Sequence, residues 1–111
     1  MLLTEAKLQL ENIILKYKQY QDLTPSNPPS IGNYFSPAYG FLRLAENQVC
    51  YEGLFYRNVY IGVNIGSKFA NYDYNLVSTL KSEIKDVLKL LDGRIIDVYG
   101  SAFTIVGVTK D

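Results

Sequence analysis

Two neighbouring stretches of the sequence decide the fold: residues 59–66, which read VYIGVNIG, and residues 75–91, which read NLVSTLKSEIKDVLKLL. In the first stretch, apolar residues occupy every second position from Val59 to Ile65. Successive side chains of a strand point to opposite faces, so this period of two predicts a strand with one buried face. We expect the opposite face to be exposed or lightly covered, because its glycines have no side chains. Another backbone could approach closely there. That face carries Tyr60, Gly62, Asn64 and Gly66.

The second stretch predicts an amphipathic helix over residues 75–91. Its apolar residues recur at steps of three and four, which places them in one stripe along a helix. Lys81 and Lys85 fall on the other side and are expected at the surface. Gly93 follows the stripe and predicts that the helix ends there in a left-handed conformation. The stripe consists of Leu76, Val77, Leu80, Ile84, Val87, Leu88 and Leu91.

The residues on either side add a helix and further strands. A helical stripe over residues 4–21 predicts a first helix. Turn-forming pairs at Glu46-Asn47 and Arg57-Asn58 divide the region before residue 66 into three strands. After the second helix, the apolar positions change parity at Gly100-Ser101, so residues 94–108 form one bent strand or two short ones. The three earlier strands are expected near Tyr39–Leu44, Val49–Tyr56 and Val59–Ile65.

Together these elements predict a single α+β domain over residues 1–111, with the order α-β-β-β-α-β-β and no internal repeat. An antiparallel sheet of four to five strands carries two helices packed on one face, because both helical stripes need a common sheet face to cover them. All four prolines fall within residues 22–37, which predicts a long irregular loop between the first helix and the sheet.

Composition excludes several kinds of chemistry. The 111 residues include no His and one Cys. Common hydrolase triads, cysteine–histidine nucleophile pairs and zinc sites need residues that the chain lacks, and neither a P-loop nor a dinucleotide-binding motif is present. We therefore predict a protein that is not an enzyme, with no catalytic residues, no metal site and no cofactor. Cys50 is interpreted as a buried structural thiol, and Asp97 as an outward-pointing residue of an apolar strand.

Charge and cysteine content predict the compartment and the kind of partner. Lys and Arg number 11, as do Asp and Glu, so the net charge is zero. The basic excess of a nucleic-acid binder or of a polybasic membrane anchor is absent, which disfavours nucleic acid and membranes as partners. Met1–Glu5 lack the features of a secretory signal, and one Cys suits a reducing compartment. We expect a cytoplasmic protein, or one of the host cytoplasm or virion if it is viral.

Tyrosine is the unusual feature of the composition, with ten Tyr beside five Phe. Tyr suits protein interfaces because it is large and amphipathic, and it suits base stacking on an open sheet. Strands also favour Tyr for packing alone, so three interpretations stay open. Only Arg43 and Arg57 accompany the aromatic strands, which is too few for a track of phosphate contacts.

We predict an interaction surface formed by residues 55–66 together with the loop 25–37. The strand 59–66 has no charge or proline to blunt an unpaired edge. Strand addition or face-to-face self-association is therefore expected there. The candidate residues are Tyr34, Phe35, Tyr56, Tyr60, Gly62 and Asn64.

The order of elements resembles that of the small tail-terminator and tail-completion proteins of tailed phages. In that family an N-terminal helix and a loop precede antiparallel strands, and an acidic turn then leads to a second helix and terminal β structure. The matching stretches are Val59–Ile65, Asp73, the helix 75–91 and Ile95 to Val108. The resemblance implies a virion component but transfers no site residue. The order is also similar to that of secretion chaperones, which usually have a third helix.

These observations favour a non-enzymatic interaction or assembly module that self-associates or docks on a protein partner, as a structural component of a phage or mobile element. One alternative is a small inhibitor or regulator that binds a foreign enzyme or nucleoprotein. A second alternative is a single-stranded nucleic-acid binder that uses the Tyr-rich sheet.

Overall fold

The computed structural model describes residues 1–17, 42–50, 57–66, 74–99 and 103–110. The predicted loop over residues 22–37 lies outside these ranges. The described chain forms two helices and four strands. They are α1 (Leu3–Tyr17), β1 (Leu42–Cys50), β2 (Arg57–Gly66), α2 (Tyr74–Leu88), β3 (Arg94–Tyr99) and β4 (Phe103–Thr109).

The four strands form one antiparallel sheet in the order β1-β2-β4-β3. Helix α1 packs over β1 and β2, and α2 packs over β4 and β2, on the same face of the sheet. This arrangement confirms the predicted α+β fold with two helices on one face of an antiparallel sheet. Two short strands, β3 and β4, form where the sequence left one bent strand or two short ones open, and they pair with each other; Gly100-Ser101 lie outside the described residues.

Two strands, not three, precede α2 in the described chain. The predicted turn at Glu46-Asn47 is wrong, because β1 continues through both residues. Asn47 instead takes a left-handed backbone conformation, with φ of 53°, inside the strand. Asn tolerates this conformation better than most residues, which is why the same residue type also predicts a turn. The predicted turn at Arg57-Asn58 is also wrong, since both residues pair with β1.

The main core lies between the helices and the sheet. The stripe of α2 supplies Leu80, Ile84 and Leu88, which are fully buried. Helix α1 contributes Ala6, Leu10 and Tyr17. Because the stripes of both helices meet one sheet face, the two periodicities read from the sequence define the same core. The sheet completes it with Leu42, Ile61, Val63, Ile65, Val106 and Val108.

Helix α2 ends at Leu88, before the predicted end at residue 91. The amides of Leu90 and Leu91 bond to carbonyls three residues back, at 3.1 and 3.0 Å, which tightens the last turn and satisfies its carbonyls. Gly93 is therefore not the residue that caps the helix. It lies in the turn to β3 with φ of 151°, and a Cβ there would meet the Thr109 carbonyl oxygen at 2.6 Å. Both the dihedral angle and the close approach require glycine.

The chain order repeats one pattern, because α1-β1-β2 is followed by α2-β3-β4. The second strand of each half lies at the centre of the sheet, and the first strand of each half lies at an edge. We call the β2–β4 pair the seam. A two-fold axis through the seam would produce this strand order, although the sequence shows no internal repeat.

Candidate interaction surfaces

The residues predicted to form an interaction surface do not come together as expected. Tyr34, Phe35 and Tyr56, and the loop 25–37, lie outside the described residues. The other three candidates lie on β2. The prediction that this strand offers an unpaired edge is wrong, because β2 pairs with β1 on one side and with β4 on the other. From Ile61 to Gly66 its backbone is therefore not available for strand addition.

Tyr60 lies on the helix side of the sheet, although its parity predicts the opposite side. Its half-buried ring packs against the main core, and the Lys110 Nζ lies 5.0 Å from the ring centroid. The neighbouring Val59 is buried on the other face with Ile96 and Ile105. The alternation of β2 side chains between the two faces of the sheet thus changes at Tyr60. This position lies beside Asn47 of β1, which has a left-handed backbone conformation. From Ile61 to Ile65 the predicted buried positions are confirmed.

Gly62 and Asn64 lie on the face of β2 that the helices do not cover. Gly62 faces Gly107 across the seam, and a Cβ at Gly62 would lie 2.6 Å from the Gly107 Cα. Asn64 is only 3% exposed, and its Oδ1 atom has no hydrogen-bond partner. Arg43, which pairs with Asn64 in the register, has a buried Nε atom that also lacks a partner. This part of the sheet is therefore not the open, glycine-lined strip predicted from the sequence.

The exposed apolar surface lies instead along α1. Leu8 and Leu15 are 60% and 63% exposed. They are seven residues apart, so they form one line on the side of α1 that faces away from the core. Three further exposed apolar residues lie near the start of the helix, where the terminal amine of Met1 donates a hydrogen bond to the Leu90 carbonyl at 3.2 Å. We call this set the α1 outer surface: Met1, Leu2, Leu8, Leu15 and Leu90.

The sequence contains a pattern that indicates this surface, but the predicted core-facing stripe did not include it. The stripe over residues 4–21 accounts for the core-facing residues of α1 and leaves Leu8 and Leu15 unassigned. Two leucines at a spacing of seven, outside the buried stripe, are a second apolar line on the same helix. Single exposed apolar residues are ordinary, whereas several together indicate an interaction site.

A second surface feature is a groove of about 300 Å³ on α2, and all of its described lining residues belong to that helix or to the turn that ends it. Lys81 and Lys85 both reach Asp97 of β3, with Nζ–O distances of 3.4 and 3.1 Å. Lys89 lies 3.8 Å from Asp86. Asp97 is exposed and lies on the opposite face of β3 from the buried Ile96, as predicted, and there it meets two lysines of α2. We call this feature the lysine groove: Ser78, Lys81, Ser82, Lys85, Asp86 and Lys89.

The predicted surface position of Lys81 is wrong, because its side chain is only 11% exposed. The long methylene stem extends over the edge of the core, and the ammonium group meets Asp97. The sequence could not show this arrangement, since it depends on β3 lying beside α2. Lys85 and Lys89 are progressively more exposed, as expected for their side of the helix.

The other side of α2 carries an acidic contact with α1. Glu83 accepts a hydrogen bond from the Tyr17 hydroxyl and forms an ion pair with Lys16, whose Nζ lies 2.6 Å from Oε1. The hydrogen bond from Lys16, and then that from Tyr17, lowers the pKa of Glu83 below its ordinary value of 4.5. Helix α2 therefore presents a carboxylate to α1 and lysines to β3.

The described part of the chain contains no group of three or more Cys, Asp or Glu residues positioned to hold a metal ion. Within the same residues, neither helix is long and apolar enough to cross a membrane. The absence of an enzymatic function and of cofactors stays a prediction from composition.

Comparison with protein family models, curated proteins and solved structures finds no match to this chain.

Proposed function

We propose that the protein is a non-enzymatic assembly module that self-associates through the α1 outer surface. The observation that carries the proposal is the line formed by Leu8 and Leu15, each more than half exposed on a helix whose opposite side is fully packed. Covering such a line with apolar surface removes it from water and is favourable. The charge balance of the whole chain, which is zero, leaves little repulsion between copies.

The arrangement of α1 suits a second copy of the same helix. In an antiparallel pair, Leu8 of one copy lies beside Leu15 of the other, so a two-fold axis buries four leucines at one contact. Glu5 and Lys16 are eleven residues, about three turns, apart and lie on one flank of the helix. The same antiparallel pairing brings Glu5 of one copy close to Lys16 of the second copy. Apolar and charged positions are thus both compatible with self-association.

A structural role in a phage or mobile element is the setting that we propose for this assembly. Its support is the order of elements, α-β-β-α-β-β, which agrees with the resemblance to tail-terminator and tail-completion proteins. Self-association is the property of such a component to test first.

Sedimentation over a dilution series tests the proposal. We expect the parent protein to associate as its concentration rises, and the double variant Leu8→Gln/Leu15→Gln to remain monomeric. The matched control is Tyr74→Gln, which changes an aromatic residue that is 83% exposed and lies outside the α1 outer surface. The control should associate like the parent, and circular dichroism should show all three proteins folded.

A parent protein that stays monomeric at every concentration would contradict self-association. That result would favour the alternative of a small inhibitor or regulator, which binds a different protein as a monomer. No described observation favours the nucleic-acid alternative, since Tyr60 is half-buried and packs against the core. A salt-dependent titration with single-stranded oligonucleotides tests that alternative directly.

A further inference from the structure

Strand β3 forms an edge of the described sheet. It pairs with β4 without interruption from Arg94 to Tyr99, and no other described strand adjoins it. An edge strand directs the N–H and C=O groups of alternate residues away from its neighbour, where a further strand can bind them. The opposite edge, β1, is interrupted at Asn47, and the Lys7–Glu46 ion pair links it to α1. Strand β3 is therefore the more regular of the two edges.

Positive charge accompanies this edge. Lys81, Lys85 and Lys89 follow one another at intervals of four residues, so they form a row on one flank of α2. The ion pairs of Lys81 and Lys85 with Asp97 place these two residues beside β3, and Lys89 follows one turn further along the same flank. The side chains of Lys85 and Lys89 are 36% and 65% exposed, so a partner can reach both ammonium groups.

We propose that β3 and the lysine groove bind an extended acidic segment of a protein partner, which adds a fifth strand to the sheet. The main-chain groups of β3 supply affinity, and the lysines select carboxylate side chains. This inference goes beyond the proposed function, because it assigns a second surface and a different class of partner. Two copies of this edge would bring two lysine rows to one contact, so charge favours an acidic strand over self-pairing here.

The spacing of the two elements is compatible with this binding mode. Four residues of a helix rise about 6 Å, and two residues of a strand rise about 6.6–6.8 Å. An added strand with a carboxylate at every second position therefore offers charges at nearly the same interval as Lys85 and Lys89. The groove of about 300 Å³ gives room for these side chains beside α2.

Fluorescence anisotropy with three labelled octapeptides tests the proposal. The first peptide alternates Glu and Val, the second alternates Lys and Val, and the third alternates Glu and Pro. We expect only the first to bind, and its affinity to fall as salt rises. The proline peptide keeps the charge but lacks the N–H groups that a strand needs at alternate positions. Equal binding of the proline peptide, or no binding of the Glu–Val peptide, would overturn the inference.

Charge-reversal variants locate the site. Lys85→Glu/Lys89→Glu should lower the affinity for the Glu–Val peptide on the order of tenfold or more. The control Lys7→Glu makes the same kind of charge change on α1 and should leave binding within about twofold of the parent. Amide hydrogen exchange should slow in β3 when the peptide binds. Equal weakening by Lys7→Glu, or exchange that does not slow in β3, would contradict the assignment.

Binding of the Glu–Val peptide is expected to be independent of the proposed self-association. The Leu8→Gln/Leu15→Gln variant should bind the Glu–Val peptide like the parent, because Leu8 and Leu15 lie on α1 and the lysine groove lies on α2. Loss of peptide binding in that variant, with its fold retained, would also contradict the assignment of the peptide to β3.

Discussion

Gly62 and Gly107 face each other where the two halves of the sheet meet. A Cβ at Gly62 would approach the Gly107 Cα to 2.6 Å, and backbone atoms of central strands cannot move aside as a flexible side chain can. Glycine at this position is therefore a packing requirement of the sheet. The same close approach excludes the position from contact with a partner.

Gly62→Ala should lower the free energy of unfolding by about 1–3 kcal/mol, through steric strain in a packed region. Denaturant unfolding followed by circular dichroism measures the change. Gly62→Lys should prevent folding, because a Cβ at this position already meets backbone atoms of β4. A fully folded Gly62→Lys protein would show that the seam can open more than its geometry indicates.

Glu83 makes stability depend on pH. Because Lys16 and Tyr17 stabilise the carboxylate, the pKa of Glu83 is lower in the folded state than in the unfolded state. The unfolded chain therefore binds more protons in this range, so the contribution is complete above the ordinary pKa of 4.5 and is lost as the pH falls through the folded value.

We expect Glu83→Gln to be less stable than the parent at pH 7, and the difference to shrink as the pH falls below about 4.5. Chemical denaturation at a series of pH values measures both effects. Glu11→Gln, an exposed change on α1, serves as the control and should follow the parent throughout. If the difference in the free energy of unfolding between Glu83→Gln and the parent grew toward low pH, it would have the wrong sign for this interaction.

At the scale of single elements, α2 combines a confirmed stripe with an unexpected buried lysine. Leu80→Ala and Ile84→Ala should each cost about 2–5 kcal/mol, because both side chains are fully buried. Lys81→Ala should cost about 1–3 kcal/mol through lost packing and a weakened contact with Asp97. Lys89→Ala should cost less than about 0.5 kcal/mol. Denaturant midpoints that placed Lys89→Ala among the apolar variants would contradict the helical phase of α2.

The case of Lys81 shows which parts of an element can be read from the sequence. Periodicity located the buried side of α2, because a stripe is a property of consecutive residues. It placed Lys81 at the surface by the same rule. The actual environment of Lys81 depends on Asp97, a residue of another element, and no local pattern contains that information.

The strand count failed for a related reason. Asn47 favours left-handed backbone, and this preference fits a turn and an irregular strand equally well. Pairing with β2 decides the outcome, since residues on both sides of Asn47 keep partners in the same register. The central position of β2 depends on pairing with β4, which follows it only after α2. The candidate site was predicted on β2 because the sequence could not show that both edges of that strand are occupied.

At the scale of the whole molecule, two αββ halves share one sheet. Each half carries a different exposed surface, one proposed for self-association and one proposed for binding an acidic segment. The first half exposes leucines on α1, and the second carries lysines beside β3. The fold class and most of the core were predictable, because each half follows ordinary helix and strand periods. The location of exposed surfaces was not, because exposure depends on how the halves meet.

The seam also affects the rate at which the protein reaches its fold. Ile61 pairs with Val108 and Gly66 with Phe103, partners that are about 40 residues apart, so the chain must close a long loop before their contacts form. Strands β3 and β4 are separated by only three residues, and hairpins with short connections form in about 1–10 μs. We expect the protein to refold in milliseconds or longer, and the Gly62→Ala variant to refold more slowly. Stopped-flow measurement of tyrosine fluorescence gives both rates. Unchanged refolding with faster unfolding would place formation of the seam after the rate-limiting step.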